Sequence, residues 1–342
     1  MALMSGVPIY AADQSAEDDA TEYTGQINPV NCAVIGCGAQ GREILATLAR
    51  LAAAPVVAIC DTYEPSLRRA APSAPRAEKH TDYRRLLGQK DVQAVIVATP
   101  SHQHRQIVLD ALAAGKHVYC EMPLAHLAED ARAMAQAAKA AFKLNFQAGL
   151  QNRADPQRCY LVKFIRTGIM GQSVALRAQW HRKKSWRLTY GTNSTIMCRD
   201  RHAWMFKEVD SPQYGWDVYA RKEAFYQENG IVLDANTTKL GAQTRKPTDK
   251  PAADEETALY HAFKAFVTNC NIRQSAVEDL GANFDANDLA ALKEYLGSLK
   301  KNRLPAATFQ EGFEATVTAL KANEAILKKQ RIAFEPEWFE IG

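Results

Sequence analysis

The chain has 342 residues, with 47% hydrophobic and 23% charged side chains, enough for about two domains that each bury a core. Its 18 glycines and 14 prolines exclude collagen-like and low-complexity chains. Lysine and arginine number 42 against 38 aspartates and glutamates, a net charge of +4 spread along the sequence, whereas a nucleic-acid binder concentrates its basic charge.

Residues 1–27 lack apolar periodicity and turn acidic after Asp13, the pattern of a poorly ordered tail. Residues 5–13 resemble the end of an export signal, but a charged n-region and a full apolar h-region are missing, so periplasm and cytoplasm both stay open. From residue 30 the pattern becomes regular. Residues 30–35 and 56–60 are short apolar runs suited to buried parallel strands. Between them, residues 42–51 place Ile44, Leu45, Leu48 and Leu51 at helical spacing. A short helix follows at 83–87. Strands are expected at 92–98 and 117–120, helices at about 103–114 and 128–142, and an extended segment at 144–148. This alternation predicts an α/β fold with a doubly wound parallel sheet over residues 28–150.

The remainder, 151–342, reads as a second α/β domain. After Pro156, a helix over 157–167 carries Leu161, Phe164 and Ile165 on one face. A strand is expected at 172–182 and a hairpin at 194–207, turning at Arg199-Asp-Arg201. Residues 217–229 are charged and surface-like, and 241–254 form a Lys/Pro/Thr-rich loop. Three helices close the chain: 257–270, the run through Leu289 to Leu299, and one bearing Phe313, Val317 and Leu320. Asp285 to Asp288 lacks calcium-loop spacing and reads as helix capping. No run of about 18 apolar residues occurs, so no membrane-spanning helix is expected. The seven cysteines are odd in number, without CxxC spacing, so neither a disulfide framework nor a metal site is expected. Cys32, Cys60 and Cys120 sit in or beside apolar runs and read as small buried hydrophobes.

The first strand runs directly into Gly36-Cys37-Gly38-Ala39-Gln40-Gly41. In this setting Gly36 permits the tight strand-to-helix turn. Gly38 lets the backbone approach a pyrophosphate, and Gly41 lets the helix pack close to the strand. The helix N-terminus offers free N–H groups to phosphate. Asp61 lies 20 residues past Gly41, at the end of the next strand. Its carboxylate suits the two ribose hydroxyls of an adenosine and repels a 2′-phosphate, which favours NAD over NADP. A flavin or a nucleotide without nicotinamide remains the alternative at this point.

Four stretches together resemble the glucose–fructose oxidoreductase / inositol dehydrogenase (Gfo/Idh/MocA) family. They are residues 33–41, the run Ala98-Thr-Pro-Ser-His-Gln-His104, residues 113–124 with Glu121-Met-Pro123, and residues 319–325. Residues 168–187 look like the first strand of that family's second domain. The resemblance implies an NAD-dependent oxidoreductase that transfers hydride at a hydroxyl-bearing carbon of a sugar or polyol. It places Ala39 and Gln40 with the glycines around the cofactor, Thr99, Pro100 and His104 beside the nicotinamide, and Glu121 near the cofactor ribose and ring. It further implies a small carbohydrate-like substrate and a homo-oligomer built on the open sheet of the second domain.

Two departures from the family pattern bear on chemistry. The lysine of the family's Glu-Lys-Pro motif is Met122 here, and methionine is neither acid nor base. Glycosidases of the family that use bound NAD carry an apolar residue at this place. The stretch after Arg187 also passes directly into what resembles a late hairpin, so a shortened, mostly antiparallel second sheet lacking the usual catalytic histidine is expected. His181 is then the candidate base, against a strand histidine facing solvent. Lys184, Trp186 and Arg187, with Met122, are candidate substrate contacts, against a solvated basic loop. The alternatives to a dehydrogenase are a cofactor-binding protein with reduced or lost catalysis, and an NAD-dependent glycosidase or lyase.

Overall fold

The computed structural model describes residues 27–342 apart from 182–183, 200–201, 209–210, 213–215, 217–219, 226–227, 234–255 and 284–287. The expected tail before residue 27, the loop at 241–254, the Asp200-Arg201 turn and Asp285 lie outside the described residues. The chain forms two compact units. The first comprises the residues up to Ala154 together with Glu256–Gly342, and the second Asp155–Glu255.

In the first unit, six strands form one parallel sheet: β1 (Cys32–Ile35), β2 (Val56–Cys60), β3 (Glu78–His80), β4 (Ala94–Val97), β5 (His117–Cys120) and β6 (Phe146–Ala148). Their order is β3-β2-β1-β4-β5-β6, with β1 paired to both β2 and β4. The strands are apolar throughout because both faces are covered. On one face Ile35, Val95, Val97 and Val118 meet α4 (Ser101–Ala113), α5 (Ala128–Ala140) and α9 (Phe309–Lys328) through Val108, Met134 and Phe313. On the other, Val34, Ile59, Ile96 and Tyr119 meet α1 (Ala39–Leu48), α2 (Glu64–Ala70) and α7 (Ala258–Asn283) through Ile44, Leu67 and Phe263. A short α3 (Tyr83–Leu87) begins at Asp82, whose side chain accepts from Arg84 N–H.

This arrangement corrects the expected division at residue 150. The helices after residue 255 do not belong with the second sheet; α7 and α9 complete the two faces of the first. Helical periodicity marks an apolar face but not the sheet it covers, which is why the sequence pattern assigned them by position alone. The helix expected at 257–270 also runs on to Asn283. Asp288 caps α8 (Leu289–Ser298), accepting from Ala290 and Ala291 N–H, as expected of a cap.

The second unit is an antiparallel sheet backed by α6 (Pro156–Arg166). Its strands are β7 (Ser173–His181), β8 (Lys184–Gly191), β9 (Ser194–Arg199), β10 (His202–Lys207), β11 (Lys222–Phe225) and β12 (Glu228–Val232), in the order β11-β12-β10-β9-β8-β7. Leu161 of α6 packs with Ile196, Ala203, Met205 and Ile231 on one face of the sheet. The hairpin β9–β10 falls where its alternation puts it. Strand β8 occupies residues between the expected strand and hairpin, and β11 and the start of β12 fall in the segment read as charged surface.

Candidate functional site

Each glycine of the loop after β1 has its own steric reason. Gly36 has φ +98°, and a Cβ there would stand 2.5 Å from Ala98 O and 2.8 Å from Thr99 N. A Cβ on Gly41 would meet Gly36 O at 1.9 Å, so α1 can lie against the loop only without one. Gly38, at the helix start, faces open space, with nothing within 4 Å of an added Cβ. No side chain caps α1, and no acidic residue occupies its first turn, so its N–H groups stay available to an anion.

A cleft of about 640 Å³ opens at this loop, lined by Gly36, Gly38, Asp61, Thr99 and Pro100 among others. It lies at the C-terminal ends of β1, β2 and β4, where the strand order reverses direction and α/β sheets bind their ligands. Asp61 ends β2 with both oxygens engaged: Oδ2 accepts Cys37 N–H at 2.8 Å and Oδ1 accepts Tyr63 N–H at 2.8 Å. These two bonds fix the carboxylate to the glycine loop and leave each oxygen a further lone pair. Thr99 contributes a buried hydroxyl that meets no hydrogen-bond partner among the described residues. An open backbone at Gly38, an anchored acid and an orphaned hydroxyl in one cleft fit a dinucleotide: phosphate at the α1 N-terminus, ribose at Asp61.

His104 and Glu121 lie elsewhere. His104 is buried, with Nε2 2.7 Å from Thr99 O and Nδ1 3.1 Å from Leu124 O. Burial lowers its pKa, outweighing the Thr99, Leu124 and Pro123 carbonyls that favour a proton. It ties the loop after β4 to the loop after β5, a positioning role that a motif cannot distinguish from cofactor contact. Glu121 ends β5; Oε1 accepts Gln40 Nε2 at 3.0 Å and Oε2 accepts Met122 N–H at 3.3 Å. Gln40 thereby links the first turn of α1 to β5. Burial pushes the Glu121 carboxyl above the usual range. Met122 packs against the apolar cluster beneath α4 and α5.

In the second unit, His181 closes β7 opposite Lys184, while Trp186 pairs with Gln179 and Arg187 with Ala178. Tyr83, Arg84, Gln103 and Gln106 also line the cleft; Tyr83 is half-buried and the other three are exposed helix residues, which carry no sequence signal of their own. Burial raises the Cys37 and Cys60 thiols beside it to about 12, so they stay protonated and unreactive. Among the described residues no three His, Cys, Asp or Glu side chains are grouped to hold a metal, and no helix is long and apolar enough to cross a membrane.

Residues 30–149 match the model of an oxidoreductase family with an NAD-binding Rossmann fold, GFO_IDH_MocA. Inositol 2-dehydrogenase of Burkholderia multivorans is 37% identical over 165 residues, 48% of this chain and 49% of that protein. The chain thus spans about half the length of the curated relatives it matches. Levoglucosan dehydrogenase in complex with NADH and levoglucosan superposes with a TM-score of 0.60 at 14% identity, over 89% of this chain and 98% of that one. A 3-ketoreductase from Actinomadura kijaniata, in complex with TDP-benzene and NADP, gives 0.52 at 14% identity, over 82% and 98%. Coverage of nearly the full length of these folds does not confirm the shortened second domain expected from the sequence. Residues 30–149, with their glycine loop and anchored Asp61, are thus similar to the NAD-binding domain of the Gfo/Idh/MocA oxidoreductase family.

Proposed function

We propose that the chain is an NAD-dependent oxidoreductase that removes hydride from a hydroxyl-bearing carbon of a polyhydroxylated ring, a sugar or cyclic polyol. The observation that carries this reading is Asp61, held by Cys37 N–H and Tyr63 N–H beside the open Gly38. An acid fixed there accepts from ribose hydroxyls and repels a 2′-phosphate, which favours NAD although one structural neighbour holds NADP. The substrate class is supported by relatives and neighbours that act on inositol and levoglucosan. Bound NAD would supply the hydride acceptor. Thr99 Oγ1 offers a hydrogen bond at the cofactor, Gln40 steadies Glu121, and His104 holds the two loops in register. For the hydroxyl proton, Glu121 is the titratable group at the end of β5, and His181 the candidate in the second unit. Lys184, Trp186 and Arg187 remain the proposed substrate contacts, and homo-oligomerisation the proposed assembly.

Calorimetric titration with NAD+ and NADP+ tests the cofactor. NAD+ is expected to bind more tightly, and Asp61→Ala to weaken it by about 1.5–3 kcal/mol for each charged hydrogen bond lost while narrowing the preference over NADP+. Unchanged NAD+ affinity in that variant would remove the assignment. Met122 favours a second reading, a cofactor-binding protein with slow or absent turnover, because the side chain packed there cannot relay a proton. Tight NAD+ binding without nicotinamide reduction across sugars and polyols would select it.

A further inference from the structure

The cleft lies at the C-terminal ends of the parallel strands. At the opposite ends, His117 begins β5 and Asn145 immediately precedes β6, and two arginines close over this edge. Arg273 of α7 donates through Nη1 to the Phe142 carbonyl, and Arg303 donates through Nη2 to Asn145 Oδ1 at 3.0 Å. Asn269, one helical turn before Arg273, holds Leu304 by its N–H and its carbonyl at 2.9 and 3.0 Å, which keeps the neighbouring Arg303 beside α7. Both arginines are half-buried, and the Nε of each is buried without a hydrogen-bond partner among the described residues.

No counter-charge accompanies them. Among the described residues neither arginine forms an ion pair. Glu311, whose carboxylate favours the Arg303 charge, is engaged by Arg153 at 3.7 Å and by the Thr308 N–H at 2.7 Å. Burial keeps the adjacent Cys270 a thiol. Burial, and after it the Arg303 charge, lowers Arg273 to about 10. His117 accepts the Asn145 N–H at Nδ1, so its own proton sits on Nε2, which has no partner among the described residues. The polar atoms that these three side chains leave over are all donors, and two of the groups carry the same charge. Burying like charges side by side is costly unless an anion joins them.

We propose that Arg273 and Arg303 form an oxyanion site at the N-terminal edge of the sheet, which takes a phosphate group, free or as the monoester of a small metabolite. A guanidinium is a flat fork of N–H donors that matches a pair of phosphate oxygens, and two cations suit a dianion. The site lies at the opposite end of the strands from the cleft and does not depend on the cofactor reading.

Calorimetry titrates inorganic phosphate, and separately glycerol 3-phosphate, into the full chain at constant ionic strength, each with and without saturating NAD+. The wild-type protein is expected to bind one phosphate per chain, with an affinity that NAD+ leaves unchanged. Arg273→Gln is expected to weaken binding about tenfold or more, the scale of one charged hydrogen bond. Arg303→Lys keeps the charge without the fork and is expected to weaken it several-fold; it decides the question if Arg273→Gln does not unfold cooperatively in urea. An ester that binds as tightly as the free ion supports a site for a carried phosphate, and exclusion of the ester supports a site for the ion itself. Phosphate that fails to bind the wild type, or that binds both variants as it binds the wild type, overturns the inference. Displacement of phosphate by NAD+ overturns it as well, by assigning the ion to the glycine loop, and leaves the cofactor reading standing.

Discussion

His117 begins β5 with 7% of its surface exposed, and its Nδ1 accepts the Asn145 backbone N–H at 2.8 Å. Burial, reinforced by the nearby Arg273 guanidinium, lowers its pKa from 6.5 to about 4. An unfolded chain takes up this proton near pH 6.5, whereas the folded one resists until about 4. The unfolded state therefore binds more protons in that window, and stability falls as the pH drops through it. The loss reaches about 3 kcal/mol once the pH is below both values. Urea unfolding at a series of pH values should show this slope, and His117→Gln, which keeps an acceptor for Asn145 without a proton to take up, should flatten it. An equally steep slope in that variant would assign the acid sensitivity to another group. Residues differ in how far they can be recognised from sequence alone. The three glycines and Asp61 were legible because a backbone turn, a close approach and a ribose each demand one residue type at one spacing. His104 was legible as a motif member only; that both of its ring nitrogens face carbonyls depends on two loops meeting, which spacing does not encode.

Elements divide along a similar line. The buried parallel strands announced themselves as unbroken apolar runs, because covering both faces removes every reason for a polar residue. The edge strand β3 reads Glu-Lys-His and is largely exposed, and the edge strand β11 reads Lys-Glu-Ala-Phe. An edge strand is held largely by its backbone ladder and leaves little hydrophobic pattern. The second half of α7 was missed for a different reason. Its buried face turns polar at Thr268, Asn269 and Asn271, yet the two amides act as clamps. Asn271 accepts the Asn28 N–H and donates to the Asn28 carbonyl, both at 3.0 Å. Asn269 does the same for Leu304 at 2.9 and 3.0 Å. Each clamp binds to α7 a segment far away in sequence. Asn271→Ala leaves both backbone groups of Asn28 to solvent and should cost about 2 kcal/mol, seen as a lower urea midpoint at unchanged slope. Because Asn28 is exposed, a cost near that of a fully buried pair would mean the N-terminal segment detaches altogether.

At the scale of the whole molecule, the unit that holds the cleft is discontinuous: the chain leaves it after Ala154 and returns at Glu256. The returning helices belong to its core. Phe263 and Phe266 of α7 lie fully buried with their ring centroids 4.6 and 5.8 Å from Tyr119 of β5. On the opposite face, a Cβ on Gly312 of α9 would come 2.6 Å from Ala148 Cβ, and Thr316 Oγ1 accepts the Leu124 N–H at 3.0 Å. Losing one such phenylalanine costs about 3–5 kcal/mol, a large share of the 5–15 kcal/mol that holds an ordinary domain together. A chain ending at residue 154 would lack α7 and α9 entirely, and is expected to be insoluble or molten, without a cooperative unfolding transition. Residues 151–153 pack against α7, so the two ends of the unit lie near each other. Replacing residues 155–255 by a flexible linker of about ten Gly and Ser residues, which spans roughly 17 Å, should therefore give a soluble protein that unfolds cooperatively. It should bind NAD+ as the full chain does, because every residue lining the cleft belongs to the first unit. Both variants keep the same residues up to 154 and differ in whether α7 and α9 are present, so the linked one must be the one that folds. Cooperative unfolding and NAD+ binding by the chain ending at 154 would show instead that the parallel sheet is stable without the helices that cover it.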